Sequence, residues 1–403
     1  MAPPRILVAG TADTKGAELG YLAERIAAAG GRPVILDVGT RAPSIPVGIA
    51  ASEVLENATG ELRQRADSGD RGTAVAAMAE ILAAYLPGAT AFDGIIGIGG
   101  GGGTSIVTAG MRALPLGMPK LMVSTMAAGD VSKYVDISDI VMMPAITDLA
   151  GLNRISRGVL DRAARAIVAM TAGTASATSP RSAIGLTMFG VTTPCVTAIA
   201  EQLSAEVEPV IFHATGIGGR TMEALIDAGM LTGVIDITTT EIADHLVGGV
   251  LSAGPDRLGA IARRGVPWLG SLGALDMVNF QAPDKVPASF AGRKFYRHNP
   301  NVTLMRTTAE ECTRIGFWIA EKLNASTGPV VLLIPEKGVS ALDIEGGAFH
   351  DPEADAALFA ALESGLKTNA NRHILRLPMH INDPAFADAA IAAWRRLAAR
   401  EQA

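Results

Sequence analysis

A run of five glycines is the part of the sequence whose residue types point most directly to chemistry. The run, Gly99–Gly103, follows an apolar segment and precedes a helical pattern. Glycines let a backbone approach an anion closely or adopt positive φ, and the free N–H groups at a helix start favour negative charge. We therefore predict a phosphate-bearing ligand here; the alternative is a tight turn whose glycines serve packing. The predicted contacts are Gly99, Gly100, Gly101, Gly102, Gly103, Thr104 and Ser105.

The glycine run fits neither standard phosphate motif completely. A P-loop needs a lysine directly after its last glycine, and the residue here is Thr104. Gly97, Gly99 and Gly102 satisfy the dinucleotide pattern G-x-G-x-x-G, but a run of this length satisfies many patterns. No acidic residue stands out at the end of the next strand pattern, 121–124, to hold a ribose. A nicotinamide-dependent oxidoreductase is therefore disfavoured.

A second glycine-rich segment lies at 216–219, again between a strand pattern and a helix pattern. His213 precedes it and suits proton transfer near neutral pH, and Arg220 follows it and can bind a carboxylate or phosphate with two hydrogen bonds. We predict that both residues act on a small anionic metabolite; the alternative is an ordinary loop with a surface arginine. The predicted substrate contacts are Gly216, Gly218 and Gly219.

Glu241 and His245 are spaced one helical turn apart and face the same side of a predicted helix. They could join His213 in a catalytic proton-transfer cluster or a metal site, or Glu241 could form a capping box with Thr238. The chain contains neither H-E-x-x-H nor C-x-x-C, so we predict no dedicated metal site. A Mg²⁺ ion carried by a nucleotide needs few protein ligands and is compatible with the sequence.

The segment after the first predicted strand is a further candidate for ligand contacts, because ligands of α/β proteins gather at strand ends. It contains Thr11, Asp13 and Lys15, and the last two could contact a ribose and a phosphate. The alternative is that Asp13 or Thr14 caps the next helix while Lys15 is solvated.

Two late segments also follow strand patterns. The first supplies Gly338, Ser340 and Asp343 as residues that could line a substrate cleft, and Ser340 lacks the G-x-S-x-G pattern of a serine hydrolase. The second supplies His380, Asn382 and Asp383, which could line the same cleft or cap the last helix.

The elements that must position these residues alternate between strand and helix patterns almost throughout the 403 residues. Such alternation predicts an α/β fold with two Rossmann-like, doubly wound domains and mainly parallel sheets. We place the domains at 1–180 and 181–403, with a linker at 171–180 and an irregular stretch at 41–72. The halves echo each other weakly: the segment near residue 10 matches that near 190, and the segment near 100 matches that near 215.

Composition excludes several classes of function. A net charge of −6, the absence of a clear Lys/Arg cluster and 4% aromatic residues argue against a nucleic-acid partner. The stretch 94–111 contains eight glycines and would make a poor membrane helix. The first apolar run is short and reads as a buried strand rather than a signal peptide. The two cysteines are far apart, so we expect a reducing, cytoplasmic compartment.

Four motifs together resemble the UPF0261 family, also described as Tm-1-like ATP-binding domains. They are G-T-x-D-T-K-G-x-E from Gly10, the run 97–105, S-T-M-A-x-G from Ser124, and P-x-x-G-x-S-x-x-D from Pro335. The resemblance covers almost the whole chain. It implies two Rossmann-like subdomains, ATP bound in the N-terminal one, and a homodimer. ATP contacts are carried over to 99–105 and to Thr11, Asp13, Lys15 and Thr125.

Two hypotheses of function follow. In the first, the chain is an enzyme that binds ATP in its N-terminal domain and acts on a small carboxylate or sugar acid in the interdomain cleft, by phosphoryl transfer or carboxylate activation. In the second, the chain is a non-catalytic nucleotide-binding module that regulates a partner protein.

Overall fold

The computed structural model describes residues 2–56, 58–89, 91–172 and 181–401. Contacts divide the chain into two compact units, Met1–Ala177 and Thr178–Ala403, which we call the N-terminal unit and the C-terminal unit. The linker expected at 171–180 lies outside the described residues from 173 onwards, and its first residue, Thr171, ends a helix.

The N-terminal unit is a five-stranded parallel sheet with the strand order β2-β1-β3-β4-β5. Its elements are β1 Arg5–Gly10, α1 Gly16–Ala28, β2 Arg32–Asp37, α2 Ala51–Glu56, α3 Gly60–Ala66, α4 Arg71–Tyr85, β3 Gly94–Gly99, α5 Gly101–Arg112, β4 Lys120–Ser124, α6 Ser132–Val135, β5 Val141–Pro144 and α7 Arg154–Thr171.

The apolar runs of β1 and β3 explain why helices cover both faces of this sheet. Ile6 and Val8 point to one face, where they share a core with residues of α1 and α7. Leu7 and Ala9 point to the other face and pack with residues of α4 and α5. Strands that are buried on both faces read as continuous apolar segments, as these do.

The C-terminal unit contains a six-stranded parallel sheet with the order β14-β13-β9-β8-β6-β7. Its elements are β6 Ala183–Met188, α8 Thr193–Leu203, β7 Glu208–His213, α9 Ile217–Asp227, β8 Val234–Thr238, α10 Thr240–Val247, α11 Gly259–Arg264, β9 Trp268–Gly273, β10 Met277–Phe280, β11 Phe295–Asn299, β12 Val302–Arg306, α12 Ala309–Asn324, β13 Val330–Pro335, α13 Pro352–Gly365, β14 Arg372–Leu377 and α14 Pro384–Glu401.

The two parallel sheets share a strand order once each is numbered along its own chain. Both run second, first, third, fourth, fifth, and the C-terminal unit adds a sixth strand at the end. The predicted α/β class with mainly parallel sheets is confirmed. The echo between residues 10 and 190 agrees with this order, because both segments follow a first strand. The segments near 100 and 215 do not occupy equivalent positions, because β3 is the third strand of its sheet and β7 is the second.

Two regions differ from the sequence prediction. The stretch 41–72, expected to be irregular, contains α2 and α3. The segment 277–306 forms a separate three-stranded antiparallel sheet, β10-β12-β11, that the sequence did not suggest. Its strand β11 is exposed along its whole length and so has no apolar pattern to reveal it. Across the described residues, we find no helix with the length and apolar character needed to span a bilayer.

Candidate functional site

The carboxyl edge of the N-terminal sheet brings three predicted segments together. Strand β3 lies between β1 and β4, with Gly97 paired with Ala9 on one side and with Met122 on the other. The loops after β1, β3 and β4 therefore emerge side by side. The chain reverses its direction of winding between β1 and β3, which is where open α/β sheets bind their ligands.

The glycine run forms the turn from β3 into α5. Gly100 is the N-cap in an extended conformation, and the first intrahelical bond runs from Thr104 N–H to the Gly100 carbonyl at 2.8 Å. The N–H groups of the first helical turn precede this bond, and a glycine N-cap has no side chain with which to satisfy them. An uncapped helix start of this kind favours an anion.

Packing explains only part of the glycine run. A Cβ on Gly97 would lie 2.5 Å from Val107 Cγ1, and one on Gly99 would lie 2.7 Å from Thr104 N, so these two positions require glycine. No glycine from 97 to 103 has positive φ, so that use of the run is excluded. A Cβ would meet nothing closer than 3.6 Å at three other positions: Gly100, Gly101 and Gly103.

The two hydroxyl residues after the run bond within the protein. Thr104 is buried, and its Oγ1 lies 2.6 Å from Ser124 Oγ at the end of β4. Ser105 Oγ donates to the Gly101 carbonyl at 2.9 Å. Thr125 faces the run, because its Oγ1 lies 3.7 Å from where a Cβ of Gly100 would be. The contact of these hydroxyls with a phosphate stays a prediction.

The loop after β1 is fixed by backbone and side-chain bonds. Thr11 Oγ1 lies 2.7 Å from Thr14 Oγ1, and the Lys15 ammonium donates to the Leu149 carbonyl. Glu18, which is buried, accepts a bond from Gly151 N–H at 2.6 Å. The motif that contains Lys15 and Glu18 therefore holds the segment 149–151 in place, in addition to any contact with a ligand.

Asp13 offers an acceptor without a donor at this edge. Its Oδ1 is buried and has no hydrogen-bond partner among the described residues. The neighbouring Asp37, at the end of β2, accepts bonds from Ala12 N–H and Gly39 N–H at 2.8 Å each. Sequence reasoning did not single out Asp37, although an acid at the end of a second strand is a signal that could have found it.

Two hollows lie beside these loops. One has a volume of about 280 Å³ and is lined by residues such as Asp37, Gly39 and Ser52. The other, of about 550 Å³, lies beyond β4 and β5 and is lined by Thr125, Thr147 and their neighbours. Buried polar groups normally have partners, and Thr147 Oγ1 in the larger hollow has none among the described residues.

The second glycine-rich loop already holds a carboxylate of its own chain. Glu241 Oε1 accepts hydrogen bonds from Gly216 N–H at 2.6 Å and from Gly219 N–H at 3.0 Å. Glu241 is fully buried, and a Cβ on Gly219 would lie 2.0 Å from its Oε2. Two of the N–H groups expected to bind a substrate anion are therefore taken by Glu241.

The other residues predicted near this loop point in different directions. His213 is exposed at the end of the edge strand β7, and its ring packs edge-on against Phe189 at 5.7 Å. His245 Nδ1 lies 3.3 Å from Ser252 Oγ. Arg220 is half-buried on α9 and has its own interaction partner. In the part of the chain that the structure describes, no group of three or more His, Cys, Asp and Glu is placed to hold a metal ion.

Arg257 organises the charges behind this loop and was not found from the sequence. Its guanidinium donates to Asp236 at 2.7 and 2.8 Å, to Glu241 at 3.0 Å and to Glu223 at 3.2 Å. Burial lowers the pKa of Arg257, but the three carboxylates outweigh burial and raise it. Burial raises the pKa of Glu223. The network is internal, and Arg257 is only 1% exposed.

The late motif folds into a compact turn after β13. Gly338 has φ +121°, and a Cβ there would lie 1.6 Å from the Asp343 carbonyl oxygen, so only glycine fits. Ser340 Oγ donates to Asp276 at 2.8 Å, and Asp343 accepts from Val339 N–H at 2.9 Å. Ser340 and Asp343 are both fully buried.

His380 joins this turn to the end of β14. Its Nε2 lies 2.9 Å from the Ser340 carbonyl, and its Nδ1 accepts a bond from Asn382 N–H at 3.1 Å. Gly338 and His380 line a cavity of about 780 Å³. Asp355, which lines the same cavity, and Asp276 and Arg306 behind it were not found from the sequence, because each belongs to a different element.

These features define a two-unit α/β protein with doubly wound parallel sheets and an uncapped glycine-rich helix start at a topological switch point. Family models agree with the division: the UPF0261 N-terminal domain matches residues 4–176 and the UPF0261 C-terminal domain matches residues 181–398. Both are described as an uncharacterised protein family. The chain belongs to the UPF0261 family.

Its relatives extend the comparison. A UPF0261 protein of Rhizobium meliloti is 62% identical over 394 residues and covers 98% of this chain and 99% of its own. The ToMV resistance protein Tm-1 of Solanum lycopersicum is 40% identical over 420 residues, which are 96% of this chain and 55% of the tomato protein. An alignment with the solved structure of UDP-N-acetylglucosamine 2-epimerase from Rickettsia bellii covers 67% of this chain and 79% of that chain at 8% identity. Its TM-score of 0.21 is too low to indicate structural similarity.

Proposed function

We propose that the chain binds a nucleotide at the carboxyl edge of the N-terminal sheet, with ATP as the first candidate. We also propose that it is an enzyme acting on a small anionic metabolite. One observation carries the nucleotide part. Gly100, Gly101 and Gly103 are required neither by packing nor by backbone conformation, yet they leave a helix start uncovered. Close approach of a phosphate explains all three.

The neighbouring residues support a nucleotide rather than a free phosphate. The unpartnered Oδ1 of Asp13 could accept a bond from a ribose hydroxyl, and Lys15 has further N–H donors for a phosphate. The hollows of about 280 and 550 Å³ on either side offer room for a base. A Mg²⁺ ion bound to the phosphates would need few ligands from the chain.

A second candidate is a non-catalytic nucleotide-binding module that regulates a partner protein. The observation that favours it is the second glycine loop, where Glu241 and not an open site meets the backbone N–H groups. One relative is also named for virus resistance rather than for a reaction. Turnover separates the two candidates, because a regulatory module binds ATP without consuming it when metabolites are added.

Calorimetric titration with ATP, ADP and AMP in the presence of Mg²⁺ tests the nucleotide site. Gly101→Ala adds a Cβ that meets nothing closer than Met126 Sδ at 4.0 Å, so the fold should be retained. The added methyl group keeps a phosphate away from the helix start, and we expect ATP affinity to fall about tenfold or more. Gly158→Ala in α7, where a Cβ meets only Arg162 at 3.6 Å, is the matched control.

The outcomes are distinct. Absence of binding by all three nucleotides overturns the nucleotide proposal. Equal ATP affinity in both variants overturns the placement at the glycine run.

We further propose a cytoplasmic homodimer without nucleic-acid or membrane partners, in line with two buried free cysteines and a net charge of −6. Light scattering during size-exclusion chromatography tests the dimer.

A further inference from the structure

We propose that the cavity beyond β13 and β14 binds a small hydroxy acid, that Lys337 binds its carboxylate, and that Asp355 takes up a proton when the ligand binds. The proposal deepens the proposed function and rests on it in one respect, the small anionic metabolite. It does not depend on the nucleotide, because every residue that lines the cavity belongs to the C-terminal unit.

The cavity lies where a parallel sheet is expected to bind a ligand. It is formed by the segments that follow two adjacent parallel strands and by one side of α13. Its volume of about 780 Å³ is that of a site for a small metabolite. Apolar contacts come from Phe359, Pro352 and Ile344, and the other lining residues include two cations and several carboxyls.

Asp355 is the carboxyl that joins this cavity to the buried charges behind it. Its side chain is 12% exposed, and Arg306 Nη2 donates to its Oδ1 at 2.7 Å. Asp276 Oδ1 and Asp343 Oδ1 are buried and have no hydrogen-bond donor among the described residues while all the carboxyls are ionised, and Arg306 Nη2 reaches Asp343 Oδ1 only as an ion pair at 3.6 Å. Three carboxyls around a single guanidinium cannot all be ionised cheaply, so the site is partly protonated near neutral pH.

When the site is protonated, the proton resides on Asp355 or is shared between Asp355 and a neighbouring carboxyl. Burial, the charge of Asp343 and a hydrogen bond with Asp343 raise the pKa of Asp355 to about 7, although Arg306 opposes the shift. A proton on Asp355 supplies the donor that Asp343 otherwise lacks. Burial and the charge of Asp343 likewise raise the pKa of Asp276 to about 7. The charged and titratable groups behind Asp355 include Arg306, Asp276, Asp343 and Cys312. Those that line the cavity with it are Glu336, Lys337, Glu345, His350, Glu363, Arg376, His380 and Asp383.

Hydrogen bonds within the protein hold His380 in one tautomer. Because its Nδ1 accepts a bond from Asn382 N–H, its Nε2 carries the hydrogen and donates to the Ser340 carbonyl. Both ring nitrogens are therefore engaged within the protein. His380 is a positioning residue that fixes the turn at Ser340, and Asp355 remains the group that responds to a ligand.

The lining charges select the class of ligand. Arg376 is bound to Glu336 at 2.7 Å and to Glu363 at 3.2 Å. The Lys337 ammonium makes no hydrogen bond or ion pair within the described chain, so it is the cation available to a carboxylate. Five carboxyl residues line the cavity against two cations, which disfavours a doubly charged phosphate ester. Carboxylate side chains suit the hydroxyl groups of a ligand as hydrogen-bond acceptors.

Proton uptake follows from the sign of the ligand charge. A carboxylate that enters the cavity disfavours the ionised form of Asp355, because like charges repel, and so raises its pKa further. Since this pKa is already near neutrality, binding near neutral pH draws a proton from solution. Affinity should therefore decrease as the pH rises from about 6 to about 8.

Calorimetry of the full chain tests each part. Glycolate, lactate, glycerate and gluconate are titrated near neutral pH in two buffers of different ionisation enthalpy, PIPES and Tris. We expect at least one to bind with a buffer-dependent heat that corresponds to proton uptake. Lys337→Ala should weaken binding about tenfold or more, and Asp355→Asn should bind without the buffer dependence. Glu353→Gln, an exposed residue of α13 outside the cavity, should behave as the wild type.

The proposal is overturned if no acid of the panel binds, if Lys337→Ala binds as well as the wild type, or if the buffer dependence persists in Asp355→Asn. If Asp355→Asn does not fold, the wild-type affinity between about pH 6 and about pH 8 replaces it, and a constant affinity overturns the proposal. Hydroxy-acid binding without ATP binding would remove the nucleotide part of the proposed function alone. ATP binding without hydroxy-acid binding would remove this inference alone.

Discussion

The two parallel sheets share a strand order, but different chemical groups line their carboxyl edges. In the N-terminal unit the edge consists of backbone, with three glycines that nothing else in the fold requires. In the C-terminal unit the corresponding region is filled with buried charged side chains, and the glycine loop there is bound to Glu241. A shared topology therefore fixes which loops lie next to one another. It does not determine whether their polar groups bind a ligand or one another.

The two units also differ in the pKa values of their carboxyl groups. Burial raises the pKa of Asp244 in the C-terminal unit to about 7. In the N-terminal unit, backbone N–H groups at Thr73 and Ser132 lower the pKa values of the exposed Asp70 and Asp130, and the pKa values of Asp256 and Glu311 in the C-terminal unit are lowered as well. Burial thus raises the pKa of several carboxyls in the C-terminal unit, whereas the N-terminal unit also buries charged residues such as Glu18 and Asp37.

The largest effect should come from removing the centre of the charge network in the C-terminal unit. Arg257→Met leaves Asp236, Glu241 and Glu223 without a counter-charge, which should cost about 3–5 kcal/mol of unfolding free energy. Hydrogen-exchange mass spectrometry should show reduced protection of β8 and unchanged protection of β3. Arg263→Met removes exposed ion pairs and should cost below about 1 kcal/mol. Similar losses in both variants would show that the network is not the support we describe.

The second effect is a dependence of stability on pH that belongs to the C-terminal unit. The folded pKa of Asp244, about 7, lies above the unfolded value of about 3.9. The folded state thus binds more protons, so the stabilisation is complete below about pH 4 and is lost as the pH rises through about 7. We expect a loss on the order of a few kcal/mol in urea unfolding. Asp244→Asn should remove its share of this pH dependence, while the shares of Asp276 and Asp355 remain.

The control for that profile is Asp284→Asn, because the Asp284 side chain is 72% exposed. It should leave the pH dependence unchanged. A profile that Asp244→Asn does not alter would assign the effect to the other raised carboxyls, Asp276 and Asp355.

The smallest effect concerns the loop after β1. Lys15→Met removes the bond to the Leu149 carbonyl and should cost about 0.5–1.5 kcal/mol, seen as faster hydrogen exchange over 149–151. Lys133→Met, at an exposed lysine of the same unit, should leave that segment unchanged. Unchanged exchange in Lys15→Met would mean that Glu18 alone holds the segment through Gly151.

The parts of the fold that the sequence predicted are those with continuous apolar strands. The residues of β1 and β3 are buried on both faces and leave an unmistakable pattern. Strand β11 leaves none, because all five of its residues are exposed. The echo between 100 and 215 was misleading because a glycine-rich turn can follow any strand of a sheet, whether central or at its edge.

The site was predictable to the extent that it consists of one continuous segment. The glycine run and the loop after β1 could be placed at one edge from parallel topology alone. The contact of Glu241 with Gly216 could not, because β6 separates β7 from β8 in the sheet and no local pattern records it. Arg257 sits in a short loop segment that resembles solvent-exposed sequence. Asp276, Arg306 and Asp355 meet only in three dimensions.

The carboxylate of Glu241 has one more consequence. The glycine loop carries its own occupant 25 residues further along the chain. A tethered carboxylate acts at an effective concentration that a free anion in solution does not reach. The two N–H groups are therefore satisfied within the chain, and a dissolved anion could reach them only by displacing a carboxylate that the fold holds next to them.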